Sequence, residues 1–100
     1  MSGVGQSPLV LIVILNWNGA AETVASVASL ARMDYQNWRV LLIDNGSTDG
    51  SFEVLKPLAS KQIEVVGVST NTGYTGGCNL GLRHALKIGA DYVWLFNSHT

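Results

Sequence analysis

An unbroken apolar run at residues 9–15 gives way to Asn16-Trp17-Asn18-Gly19, and then Val24, Val27, Leu30 and Ala31 recur at helical spacing. A β-rich run with no polar interruption predicts a strand covered on both faces, and the second pattern predicts a helix over 20–32. The alternation continues along the chain. Residues 38–43 predict a second strand, and 51–56 a short helix that Pro57 ends or kinks. Residues 63–68 predict a third strand and 71–77 a glycine-rich loop. A helix follows over 79–88, with Leu82, Ala85 and Leu86 inward, Arg83 and Lys87 outward, and Gly89 as its stop. Residues 92–96 predict a fourth strand.

Strands alternating with helices imply crossover connections and a mostly parallel sheet. The expected fold class is α/β, a Rossmann-like three-layer sandwich. Residues 1–8 form an N-terminal tail and residues 9–100 the folded portion. Nothing after the fourth strand covers the sheet, so the pattern reads as the first half of a longer domain. In such a sheet the C-terminal ends of the strands deliver their loops to one edge, where ligands bind. Here those loops carry Asn16, Trp17 and Asn18, then residues 44–49, 71–79 and 97–99.

Composition narrows the function classes. The chain is 47% hydrophobic and 13% charged, with a formal net charge of −1. This excludes a disordered tail and argues against nucleic-acid binding by backbone neutralisation. The longest apolar run is far short of the roughly 20 residues a membrane span needs. The first eight residues hold no Lys or Arg, which disfavours a secretory leader. A lone cysteine, Cys78, forms no internal disulfide and fits a reducing, cytoplasmic setting.

Among the loops, Asp44 follows Val40-Leu41-Leu42-Ile43 directly and opens Asp44-Asn45-Gly46-Ser47-Thr48-Asp49-Gly50-Ser51. A carboxylate there is placed to accept from the N–H edge of a base, and Trp17 to stack on it, at about 1–3 kcal/mol. Read alone, each residue has a second meaning: a core tryptophan, or an ordinary turn. Asp49 sits where a helix cap belongs. The run from Asn71 to Asn79 has the glycines of a phosphate cradle at a helix start. Its position and spacing are not those of the dinucleotide fingerprint, and Gly-Lys-Ser/Thr occurs nowhere. Cys78 at that helix start reads as a small filler residue, and Arg83, His84 and Lys87 as a solvated helix face.

Four blocks carry a resemblance: Ile14-Leu15-Asn16-Trp17-Asn18-Gly19, residues 43–51, residues 71–81, and Trp94-Leu95-Phe96-Asn97-Ser98-His99-Thr100. Each follows a predicted strand. Together they resemble the N-terminal, nucleotide-binding half of family 2 glycosyltransferases with a GT-A-type fold, most nearly the bacterial rhamnosyltransferase-like branch. That resemblance implies an inverting transferase acting on a nucleoside-diphosphate sugar, UDP- or dTDP-linked. Its acceptor would be a saccharide or lipid-linked, in cell-surface polysaccharide synthesis, with the protein cytoplasmic or at the inner face of the membrane.

The resemblance also implies roles. Trp17 packs on the base with Asn16 beside it, Asp44 reads the base, and Gly76 and Asn79 lie near the nucleotide and its phosphates. The loop after the fourth strand matches the acidic Asp-x-Asp motif, in which the first acid contacts the ribose and the last holds a divalent cation, Mn²⁺ or Mg²⁺. Asn97 stands at the first acid and His99 at the metal-binding one. Imidazole in place of a carboxylate removes one negative charge from a site that suits oxygen ligands. The general base belongs to the half beyond Thr100, so the fragment is expected to be inactive alone. Two other readings stay open: a non-catalytic nucleotide-binding or degenerate transferase-like module, and a nicotinamide-binding domain, which the first loop disfavours.

Overall fold

The computed structural model describes residues 8–32, 34–68 and 73–97. Four strands, β1 (Val10–Asn16), β2 (Trp38–Asn45), β3 (Ile63–Val68) and β4 (Tyr92–Asn97), form one sheet in the order β3-β2-β1-β4. Every pairing is parallel. Helix α1 (Ala20–Ala31) connects β1 to β2. Helix α2 (Ser51–Leu55), with a 3₁₀ turn at Lys56–Leu58, connects β2 to β3, and α3 (Gly73–Ile88) connects β3 to β4. The expected α/β three-layer arrangement is the one observed.

The layers follow from the two-residue period of a strand. Val10, Ile12 and Ile14 of β1 pack with Val40 and Leu42 of β2 against Val27 and Leu30 of α1 and Leu55 of α2. Leu11, Val13 and Leu15 pack with Leu41 and Ile43 on the opposite face, against Ala85 of α3. Both faces of the two central strands are therefore buried, which is why their sequences are apolar without alternation.

Three expectations are corrected. First, β2 does not stop at Ile43. Asp44 pairs with Asn16 and Gly67, and Asn45 with Val68. Two polar residues stay in the strand because ladder bonds and side-chain partners satisfy them at the sheet edge.

Second, α3 begins at Gly73, inside the stretch expected as a loop. Gly76, Gly77 and Cys78 are helical, so the helix starts earlier than expected and Cys78 lies inside it rather than at its start. Residues 71 and 72 lie outside the described residues. Gly77 and Gly81 serve close approach. A Cβ on Gly77 would lie 2.5 Å from Leu15 Cδ2, and one on Gly81 would lie 2.8 Å from Val13 Cγ2. The helix backbone rests directly on β1.

Third, Leu82 and Leu86 point outward, at 54% and 84% exposure. The inward stripe is Gly77, Gly81 and Ala85, spaced four apart, and a helix has only one such face. Its neighbour His84, expected on the solvated face, is half-buried and sits 3.8 Å from Glu64 of β3. Gly89 does stop the helix: it adopts φ +72, and Ala90 N–H reaches back to the Ala85 carbonyl at 2.9 Å.

Candidate functional site

The C-terminal edge of β1 and β2 carries a buried polar network built on Asn16 and Asp44, which face each other in the parallel register. Asn16 is fully buried and Asp44 nearly so. Thr23 Oγ1, on the first turn of α1, donates to Asn16 Oδ1 at 2.7 Å. That bond turns the Asn16 amide so that Nδ2 donates to Asp44 Oδ1 at 2.9 Å. Among the described residues no buried side-chain polar atom lacks a partner.

Ser47 closes the network from the loop after β2. Its hydroxyl accepts from Asn18 N–H at 2.9 Å and from Asn16 Nδ2 at 3.3 Å. Its own proton is then directed to Asp44 Oδ1, at 2.5 Å. The Ser47 N–H reaches Asp44 Oδ2 at 3.3 Å. Asn18, at φ +50, exchanges bonds with Thr48: its Nδ2 donates to Thr48 Oγ1 at 3.3 Å and its Oδ1 accepts the Thr48 N–H at 2.9 Å. Asparagine tolerates this backbone region, so the sharp turn after Trp17 is within its reach. The loops after β1 and β2 are thus tied into one rigid rim.

Asp44 and Ser47 line an open cleft of about 350 Å³ with Gly46, Phe52, Gly67 and Val68. The Phe52 ring occupies the space that a side chain on Gly67 would need, 2.8 Å from where its Cβ would lie. The volume falls in the range of small-molecule sites. Trp17 follows β1 at the same edge of the sheet, with 38% of its surface exposed, and is not among the residues lining this cleft.

Asp49 serves the local fold, but not as the cap expected: the N-cap of α2 is Gly50, and no side-chain cap bond is made there. Asp49 Oδ1 accepts the Ser51 hydroxyl at 2.6 Å and the Ser51 N–H at 3.0 Å, closing the start of α2. The Ser51 hydroxyl holds the Asp49 carboxyl below the usual carboxylate range; desolvation opposes it, and the Ser51 N–H adds a lesser lowering. A depressed folded value means that this contribution is present above the ordinary carboxylate pKa and is lost as pH falls through the lowered one. Melting temperature followed from neutral to acid pH should therefore decline less for Asp49→Asn than for the native chain. Parallel declines would remove this assignment.

The structure gathers some of the expected site residues and not others. Asn16, Trp17 and Asp44 share one rim. Asn97 ends β4 at that same edge, opposite Leu15. Asn79 is exposed on α3. It lies two positions past Gly77, about 200° around the helix, and so faces away from the sheet. Gly76 is half-buried beside Gly77. His99 lies outside the described residues. Sequence reasoning missed Thr23 and Ser47, although Ser47 is part of the polar run after β2. It also missed Phe52 and Gly67, whose roles come from packing across elements.

No group of three or more His, Cys, Asp or Glu side chains that could hold a metal ion occurs among the described residues. The two carboxylates at this edge already accept hydrogen bonds from Asn16 and Ser47 and from Ser51. No helix among the described residues is long and apolar enough to cross a membrane.

Comparison with known proteins gives four further findings. Residues 11–100 match the family model "Glycosyl transferase family 2". The chain is 30% identical over 93 residues to an uncharacterised glycosyltransferase of Haemophilus influenzae, covering 91% of this chain and 36% of that protein. It is 27% identical over 95 residues to WfgD of Escherichia coli, a UDP-Glc:alpha-D-GlcNAc-diphosphoundecaprenol beta-1,3-glucosyltransferase, covering 89% of this chain and 37% of that protein. The chain thus spans little more than a third of the length of these curated relatives. Among solved structures it is similar to the mannosyltransferase PcManGT of Pyrobaculum calidifontis, in complex with GDP-Man and Mn²⁺. The TM-score is 0.72 at 23% identity, over 81% of this chain and 25% of that one.

Proposed function

The chain belongs to glycosyl transferase family 2, and from that premise we propose that it forms the donor-binding part of an inverting glycosyltransferase that takes a UDP- or dTDP-linked sugar. The observation that carries this reading is the Asp44 carboxylate, held rigidly by Asn16 and Ser47 and opening on a cleft. An ionised carboxylate only accepts hydrogen bonds, so it suits the N–H edge of a base. Trp17, exposed at the same sheet edge, would supply a stacking surface. WfgD, whose name specifies UDP-Glc, supports a uridine donor.

In the full reaction an acceptor hydroxyl would lose its proton to a base. Its oxygen would attack the anomeric carbon as the bond to the diphosphate breaks, with inversion. No residue of this chain is assigned the base, so the 100-residue chain is expected to bind donor without turnover. WfgD's lipid-linked acceptor supports a saccharide or lipid-linked acceptor here, reached at the inner face of a membrane.

PcManGT binds Mn²⁺, which supports a divalent cation in this protein too. Such an ion would stabilise charge on the departing diphosphate. By the family resemblance His99 is the position assigned to that ion, and Asn97 the one assigned to the ribose. His99→Asp restores a hard oxygen ligand and a negative charge, and it should strengthen Mn²⁺-dependent nucleotide binding about tenfold. Calorimetric titration of both proteins checks this; equal affinities would remove His99 from the metal site.

Titration of the chain with UDP, dTDP and NADH, with and without Mn²⁺, tests the function itself. Metal-enhanced binding of UDP or dTDP is the expected outcome. Metal-independent binding would favour a non-catalytic nucleotide-binding module, which His99 also favours. Preference for NADH would overturn both readings.

A further inference from the structure

The hydrogen bonds around Asp44 leave it unevenly occupied. An ionised carboxylate has about four acceptor positions, two on each oxygen. On Oδ1 both are filled, by Ser47 Oγ at 2.5 Å and Asn16 Nδ2 at 2.9 Å. On Oδ2, among the described residues, only the Ser47 N–H approaches, at 3.3 Å, a long contact. What the rim offers a ligand is therefore one strong acceptor, Oδ2, beside one weakly engaged donor, the Ser47 N–H.

We infer that the Ser47 hydroxyl is a base-specificity determinant: by occupying Asp44 Oδ1 it makes the site prefer uracil or thymine over guanine. The inference rests on reading this edge as a nucleoside-diphosphate site, and it names which base that site takes and why. Uracil and thymine present one N–H, at N3, flanked by carbonyl oxygens. N3–H fits Oδ2, and a neighbouring carbonyl can accept the Ser47 N–H. Guanine presents two adjacent donors, N1–H and the N2 amino group. The first can use Oδ2, but the second meets an Oδ1 whose positions are taken, and a donor desolvated without a partner is penalised.

The hydroxyl's direction is what makes the device work. Ser47 Oγ accepts from Asn18 N–H and Asn16 Nδ2, so its single proton is left for Asp44. It cannot turn to accept from an incoming base while those bonds hold. Ser47 thus acts through Asp44 rather than by touching the base with its hydroxyl.

Calorimetric binding of UDP, dTDP and GDP to the native chain, Ser47→Ala and Ser47→Thr tests this. The native chain should bind UDP and dTDP about tenfold more tightly than GDP, the usual consequence of one orphaned donor. Ser47→Ala frees a position on Oδ1 and should shrink that ratio to about threefold or less, with GDP gaining relative to UDP. Ser47→Thr keeps the hydroxyl and should keep the native ratio, while circular dichroism reports whether each variant is folded. GDP binding as tight as UDP in the native chain, or an unchanged ratio in folded Ser47→Ala, would overturn the inference and leave the nucleotide site standing. Failure of the native chain to bind any of the three would overturn the nucleotide reading and this inference with it.

Discussion

Gly81→Val is expected to destabilise the fold by about 3 kcal/mol, the upper end of what overpacking a closed interior costs. The Gly81 Cα faces Val13, whose two methyls lie 2.8 and 2.9 Å from where a Cβ would be, with Val13 Cβ itself at 3.3 Å. Val13 has no surface exposure and is β-branched, on a central strand paired on both sides. It has no rotamer that clears the space, because its Cβ is part of the obstruction. Relief requires α3 to lift from the sheet, which also loosens Gly77 from Leu15. Valine's slightly better helix propensity recovers only a few tenths of a kcal/mol. Leu86→Gln, on the outer face of the same helix, should change stability by no more than about 0.5 kcal/mol. Urea unfolding of the two variants decides the matter. If Leu86→Gln proves the more damaging, α3 is rotated from the position described.

Asn16→Ala should cost about 3 kcal/mol and weaken nucleotide binding at the same time. Asn16 is the only side chain bonded to both Thr23 and Asp44 among the hydrogen bonds described. Truncation leaves the Thr23 hydroxyl, which is fully buried, without its acceptor, and removes one donor from a nearly buried carboxylate. Orphaned buried polar groups cost about 1–3 kcal/mol each, and charged ones more. Because the groups act together, the losses should not add. Thr23→Val in the Asn16→Ala background should cost clearly less than Thr23→Val alone. Additive losses in that double-mutant cycle would show that Thr23 does not act through Asn16. The coupling to binding has the same origin: Asp44 without Asn16 is less firmly oriented towards the cleft.

Much of the fold was legible because burial on both faces leaves a simple trace. The apolar runs of β1 and β2 can only be central strands, and Gly89 marks the end of α3 by a backbone angle other residues avoid. The start of α3 was not legible. Glycine in a sequence signals either a turn or a close approach, and local propensity favours the turn. Only the position of β1 beneath the helix selects the second meaning. The inward face of α3 was misread for the same reason: Leu82 and Leu86 carry the hydrophobicity, while the contact is made by the residues with least side chain. At the sheet edge, the placement of Asn16, Trp17 and Asp44 was legible from their position after strands. Thr23 and Ser47 were not, since a hydroxyl that completes a network looks like any other serine or threonine until its neighbours are known.

The amino-acid sequence alone determined the order of strands and helices, the edge where their loops meet and the family to which the chain belongs, because these are written in local pattern and in motifs. Tertiary structure decided which way α3 faces and what Asp44 is bonded to. Both depend on residues far apart in the chain, Gly81 with Val13 and Asn16 with Asp44, and contact across such separations leaves no periodicity to read.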